Sequence, residues 1–148
     1  MRDKKNIDVG SGMEIIEKDF NEVSTVVNEL LNVHTASLGM PEFFMKKVAL
    51  ELIVDGKVCG GITGTLTNNN FHIGILAISP KYRGLNYGAK LLSSIEKLAI
   101  EKGAEIFTVT TYSYQACGFY EKQDYVAFGE LKDVPITGAS RYYLSKKA

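Results

Sequence analysis

The sequence has little that would mark a secreted, metal-bound or membrane protein. Only two cysteines, Cys59 and Cys117, occur among its 148 residues, with no CxxC pair and no Cys/His cluster. Neither a disulfide framework nor a zinc site is indicated, and no metal is expected. Charge of one sign is not in excess either: Lys and Arg number 17, and so do Asp and Glu. That balance removes the broad electrostatic drive toward nucleic acid or anionic lipid, so any anion site has to be local. No stretch approaches the roughly 18 apolar residues of a membrane span, and the opening MRDKKNIDVGSG lacks an apolar signal core. A cytoplasmic protein without nucleic-acid or membrane partners is expected.

What is present is ordinary for a globular chain, 45% hydrophobic and 23% charged residues. That length suits a single domain over residues 1–148 with a real core. Asp19 followed by Glu22 resembles a capping box, and Val23, Val26, Val27, Leu30, Leu31 and His34 then recur at helical spacing. Gly39-Met-Pro41 ends that helix, and the segment up to Lys47 is open between a short helix and a loop. From Val48 the period becomes that of strands: VALELIV, VCGGITGTL and FHIGILAI, separated by Asp55-Gly56-Lys57 and Asn68-Asn69-Asn70, read as an antiparallel meander. Leu91, Leu92, Ile95, Leu98 and Ala99 mark a second helix that Gly103 terminates. A strand EIFTVTT, a short helix SYQACGFYEK, a strand YVAFGEL and a last strand RYYLSKK follow. The order predicts a mixed α/β (α+β) sheet with helices on both faces.

The stretch KYRGLNYGAKLL, Lys81 to Leu92, crowds two glycines, an arginine and an asparagine before an apolar helix. A strand, a tight loop and a helix N-terminus near Asn86 aim free backbone N–H groups at one point, which suits an anion. Gly84 and Gly88 let a ligand approach the backbone, Asn86 suits an N-cap, and Lys81, Arg83 and Lys90 add positive charge. A phosphate or pyrophosphate fits; so does a glycine-assisted loop that merely starts a helix. Two familiar phosphate signatures are missing, the GK[ST] of a P-loop and the third glycine of a dinucleotide fingerprint.

The run ILAISPKYRGLNYGAKLL is similar to motif A of the GNAT superfamily of acetyl-CoA-dependent N-acetyltransferases, a strand followed by Arg/Gln-x-x-Gly-x-Gly/Ala and a helix. Arg83, Asn86 and Gly88-Ala89 stand on that pattern, with Asn86 where the family usually has its first glycine. Downstream, Ala116-Cys117-Gly118-Phe119-Tyr120-Glu121-Lys122-Gln123-Asp124-Tyr125 resembles motif B, with Asp124-Tyr125 in place of its Gly-Phe pair. YQACGFY also looks like the Phe-Gln-Ala-Pro-x-Phe-Tyr of small bacterial members. The resemblance covers about residues 48 to 146. It implies a mostly antiparallel sheet splayed between the motif A strand and the next, and an N-acetyltransferase that moves acetyl from acetyl-CoA to a small-molecule or peptide amine by direct attack in a ternary complex.

Carried over, the resemblance gives Leu76, Ala77 and Ile78 the main-chain contacts to pantetheine. The N–H groups from Arg83 through Gly84, Asn86, Tyr87, Gly88 and Ala89 would hold the pyrophosphate, and Tyr120 would be the general acid for the departing thiolate. By strand alternation His72, Gly74, Leu76 and Ile78 share one face, and Phe71, Ile73, Ile75 and Ala77 the other. His72 occupies the place where the histone-type branch of the family carries its glutamate base, and histidine suits that role near neutrality. Against these roles stand packing readings: an aromatic on an amphipathic helix for Tyr120, and a satisfied strand histidine for His72. Cys117, one helical turn before Tyr120, could sense redox state or contact CoA, although a small buried hydrophobe is the simpler reading. In this family the acceptor site lies near Thr35–Lys47 and Lys132–Ser140, where Glu42, Glu130 and Asp133 could attract a cation. A non-catalytic CoA-binding sensor of the same fold is the competing class, and self-association as a homodimer is left open.

Overall fold

A computed structural model describes residues 6–10 and 12–148, which divide into a compact unit up to Phe43 and a second from Phe44 to Ala148. In the first unit, strands β1 (Asn6–Gly10) and β2 (Met13–Ile16) pair antiparallel, ahead of helix α1 (Phe20–Ser37). Asp19 caps this helix, its carboxylate accepting the N–H groups of Asn21 and Glu22 at 3.0 and 3.1 Å. Glu22 bonds Lys18 at 3.3 Å, so the carboxylate of the expected capping box reaches a lysine. The hairpin β1–β2 has no counterpart in the sequence reading.

The second unit holds a six-stranded sheet in the order β3-β4-β5-β6-β8-β7. Its strands are β3 (Met45–Val54), β4 (Lys57–Thr67), β5 (Asn70–Ile78), β6 (Ile106–Tyr112), β7 (Val126–Lys132) and β8 (Ser140–Lys147). All neighbours are antiparallel except β5 and β6, as a mostly antiparallel mixed sheet requires. The parallel pair is spanned by helix α2 (Tyr87–Glu101), and α3 (Cys117–Lys122) links β6 to β7. The hairpin turns lie where the sequence marks them, with Asp55, Gly56 and Asn68 at positive φ of 49°, 76° and 51°. In the segment up to Lys47, left open above, residues 41–44 carry no helix and Met45 to Lys47 already belong to β3.

One core lies between the sheet and α2 with α3. Leu92, Ile95 and Ala99 of α2 meet Ile62, Leu66, Phe71, Ile73, Phe107, Val109 and Leu144, each at most 2% exposed. Each large aliphatic or aromatic side chain so buried contributes about 1.5–3 kcal/mol of transfer free energy. Glu96 lies on the same helical face and is buried too. Among the described residues no helix is long and apolar enough to cross a membrane.

Candidate functional site

The site begins with an extra residue in β5. Gly64 pairs with Ile73 and Ile62 with Leu76, so Gly74 and Ile75 together oppose Thr63 alone. Thr63 Oγ1 accepts the Ile75 N–H at 3.1 Å, and a Cβ on Gly74 would stand 2.8 Å from that oxygen, so glycine is what the bulge admits there. A bulge bends its strand and increases the local twist. Pairing of β5 to β6 stops at Ile73↔Val109, although both strands continue, and a split opens between them. A cavity of about 190 Å³ fills it, lined by residues that include Gly74, Leu76, Thr110, Thr111, Gln115 and Tyr120.

The bulge also corrects the expected alternation. Leu76 and Ile78 turn to the face of Phe71 and Ile73 and pack on the core, whereas Ile75 is 71% exposed. His72 therefore does not share a face with Leu76 and Ile78. The backbone follows the same shift. Ser79 N–H bonds Cys59 O on β4 at 2.7 Å; by the two-residue alternation of an antiparallel ladder, Ala77 also spends its groups on β4, while Leu76 and Ile78 direct theirs into the split. Arg83 Nε donates to the Ile78 carbonyl at 2.9 Å. Unclaimed strand backbone in the split thus belongs to Leu76 and to the Ile78 N–H, with Ala77 turned away.

Beyond β5, a 3-10 turn (Pro80–Tyr82) leads into α2. The Arg83 N–H bonds Pro80 O at 3.3 Å, so the loop uses it, and the arginine side chain closes the strand end. The first intrahelical bond runs from Lys90 N to Asn86 O at 3.2 Å. This leaves the N–H groups of Tyr87, Gly88 and Ala89 at the helix N-terminus with no intrahelical partner. Asn86 occupies the N-cap position with φ 65° and makes no side-chain cap bond, contrary to the capping role expected of it. Gly84, at φ 77°, needs its glycine. Gly88 faces the neighbouring helix: a Cβ there would meet Phe119 Cε2 at 3.4 Å, which couples the α2 N-terminus to α3.

Tyr120 is buried, 5% exposed, its ring edge-on to Phe119 and Tyr125 at centroid distances of 5.1 and 5.6 Å. Burial pushes its phenol up to about 12, so it carries its proton throughout the neutral range. It lines the split with Leu76. His72 does not line that cavity; its Nδ1 lies 2.9 Å from Thr108 Oγ1 on β6, in the paired part of the sheet. Burial lowers its pKa from the ordinary 6.5, which favours the neutral imidazole. Cys117 Sγ donates to Glu121 Oε1 at 3.2 Å, and burial, then this glutamate, raises the thiol to about 11. That thiol is held protonated, which removes the basis for a reactive thiolate. Asp133 accepts the Gly138 N–H at 2.9 Å and is committed to its own loop. Thr110, Thr111 and Gln115 were not singled out in the sequence. Thr111 and Gln115 are ordered by Thr111 Oγ1 donating to Gln115 Oε1 at 3.4 Å and accepting the Ala116 N–H at 3.3 Å.

The two departures from the family pattern have one explanation. Asn86 and Asp124, which stand where glycines are usual, have φ of 65° and 70°. That left-handed region is most readily reached by glycine and, among the rest, by asparagine and aspartate. The backbone is retained and only the residue that makes it has changed. The tyrosine that replaces phenylalanine is accommodated as well: Tyr125 is 2% exposed and its hydroxyl donates to Glu96 Oε2 at 2.8 Å. Asn86→Gly is accordingly expected to change stability by less than about 1 kcal/mol, whereas Asn86→Val, β-branched at positive φ, costs about 1–3 kcal/mol in thermal or urea unfolding.

The fold has a mixed sheet whose one parallel pair splits beside a glycine-flanked helix N-terminus, and comparison with known proteins gives its family. The acetyltransferase (GNAT) family matches residues 23–125, and the chain belongs to that family. An acetyltransferase from Bacillus cereus is 30% identical and superimposes with a TM-score of 0.82 over 93% of this chain and 99% of its own. The blasticidin-S acetyltransferase of Streptomyces morookaense is 29% identical over 93 residues, 62% of this chain and 68% of that protein. A Bacillus anthracis protein described as a streptothricin acetyltransferase, solved with acetyl coenzyme A, shares the fold at 21% identity and a TM-score of 0.63, over 69% of this chain and 62% of its own. Acetyl transfer is the chemistry of this family, and acetyl-CoA is its donor.

Proposed function

We propose that the chain transfers the acetyl group of acetyl-CoA to a primary amine by direct attack, with both substrates bound together. The observation that carries this reading is the split itself. Leu76 and the proton-bearing Tyr120 line one narrow cavity where β5 and β6 part, the Ile78 N–H lies on the same edge of β5 two residues on, and the unpaired N–H groups of Tyr87, Gly88 and Ala89 begin the adjacent helix. Extended pantetheine pairs with Leu76 and Ile78, and the pyrophosphate sits on the α2 N-terminus, where the helix dipole and three free donors favour an anion. Lys81 and Lys90, poised over the rings of Tyr82 and Tyr87 at 5.8 and 5.9 Å, add positive charge to that loop. Arg83 closes the strand end through its Nε.

In the reaction the amine lone pair attacks the thioester carbonyl carbon, the C–S bond breaks, and Tyr120 hands its proton to the departing sulfur, regaining one from water. The attacking nitrogen loses a proton. His72 takes it through water, which calls for the tautomer in which Nδ1–H donates to Thr108 Oγ1 and Nε2 keeps its lone pair. Because protonated imidazole cannot accept, activity rises with pH through the His72 pKa, which burial lowers from the ordinary 6.5, so the acid limb lies below that of a free imidazole. His72→Ala is expected to abolish this acid limb in a pH profile of kcat/KM; an unaltered profile returns His72 to a purely structural role. The reading as a whole is tested by incubating the protein with acetyl-CoA and a panel of primary amines, aminoglycosides and amino acids among them, and following free thiol together with the acetylated product by mass. Amine-dependent release of thiol matched by N-acetyl product supports it. Thiol release without acetylated amine contradicts it.

A further inference from the structure

On the face of the sheet opposite α2 and α3, β6 and β8 present two cross-strand pairs, Thr110↔Tyr143 and Tyr112↔Arg141. Arg141 Nη2 donates to the Tyr112 hydroxyl at 2.7 Å and Nη1 to the Tyr143 hydroxyl at 3.3 Å. Its guanidinium lies 5.2 Å from the Tyr112 ring centre, and Tyr112 in turn stacks on Tyr114 with planes 5° apart. The cation is therefore held still by neutral groups. None of the ion pairs among the described residues involves it, and its Nε is buried with no hydrogen-bond partner. Each terminal nitrogen still has an N–H to give, in the fork geometry that matches a carboxylate. A partly buried, immobilised cation with no counter-ion is a binding element that lacks its anion.

Its position says which anion. Tyr143 stands directly across from Thr110, which lines the split, and Arg141 is one two-residue step farther along β8, roughly 7 Å. We propose that Arg141 receives the carboxylate of the acceptor, so that the amine acetylated belongs to an amino acid or a similar amino-carboxylate. This rests on the acetyl-transfer reading of the split. A carboxylate held on this guanidinium leaves the attached amine on the same face of the sheet, on the side of Thr110 and the cavity. The rings of Tyr112 and Tyr143 flank the part between.

The test compares matched acceptors on the whole protein. Acetyl-CoA is first titrated calorimetrically; the protein saturated with CoA is then titrated with the proteinogenic L-amino acids and with their carboxamides, for wild type, Arg141→Gln and Arg141→Lys. For at least one pair the amino acid is expected to bind about tenfold or more tightly than its carboxamide, the scale of a charge-assisted bidentate contact. Arg141→Gln should remove that ratio while leaving acetyl-CoA binding as it was, and Arg141→Lys should keep part of it. The wild-type comparison needs no variant and stands even if Arg141→Gln fails to fold. CoA binding with equal affinity for both members of every pair, or a ratio that persists in Arg141→Gln, overturns the carboxylate site and leaves acetyl transfer intact. Absence of acetyl-CoA binding overturns both.

Discussion

Tyr120→Phe is expected to lower kcat by about a hundredfold or more, the contribution typical of a positioned proton donor, with acetyl-CoA affinity and stability unchanged. The substitution separates chemistry from packing because of how this ring is held. Phe119 and Tyr125 touch it edge-on at 5.1 and 5.6 Å, contacts that phenylalanine repeats, and no hydrogen bond among the described residues engages its hydroxyl. A ring kept only for the core loses nothing on deletion of that oxygen. A phenol that meets the sulfur loses its function. With a pKa raised to about 12 by burial, Tyr120 stays protonated across the neutral range, so the wild-type rate should show no decline there from its ionisation. Steady-state kinetics at saturating acetyl-CoA, with a parallel binding titration, checks both statements, and an unchanged kcat removes Tyr120 as the acid.

The largest effect on stability is expected at Glu96. Its carboxylate accepts the Tyr125 hydroxyl at 2.8 Å and Lys146 Nζ at 3.1 Å on the same oxygen, with side-chain exposures of only 12% for Glu96 and 26% for Lys146. Glu96→Ala leaves a largely buried ammonium and a buried phenol without their acceptor, and breaking such a pair from one side costs about 3–5 kcal/mol. That is a large part of the 5–15 kcal/mol by which domains are usually stable. Tyr125→Phe removes a single hydrogen bond to a charged group and should cost less, about 1.5–3 kcal/mol. Glu96→Leu combined with Lys146→Met should recover most of the loss, because neither charge is then stranded. Urea unfolding of the four proteins measures this, and a cost below about 1 kcal/mol for Glu96→Ala would reclassify the trio as a solvent-screened surface pair.

Much of the fold was legible because its signals are local. Asp19 at a helix start, Gly103 past a helix end, and Asp55-Gly56 and Asn68 at hairpin turns each act through one backbone conformation, and each stands where the sequence puts it. The strand, tight loop and helix start between Ile78 and Tyr87 were legible for the same reason. What could not be read depends on residues far apart. A strict period of two was carried through β5, yet Gly74 marks a bulge whose extra residue is defined by Thr63 on the neighbouring strand, and every side chain after it changes face. Glu96, Tyr125 and Lys146 meet across 29 and 50 residues of chain, a meeting that no pattern announces. Arg141 likewise acquires its meaning only when β6 and β8 align. The hairpin β1–β2 was missed because NIDVG and MEII are short, and the turn signal Gly10-Ser11-Gly12 between them was read as part of a polar leader.

The central claim is that the split between β5 and β6 holds the pantetheine of acetyl-CoA, with its pyrophosphate on the first turn of α2. Titrating isotope-labelled protein with acetyl-CoA and following backbone amide resonances tests it most directly. Saturable one-to-one binding is predicted, with the largest shifts at Leu76, Ile78, Tyr87, Gly88 and Ala89, and little change at Ala77, whose groups belong to β4. Saturation with shifts confined to other residues, or no binding at all, would contradict it.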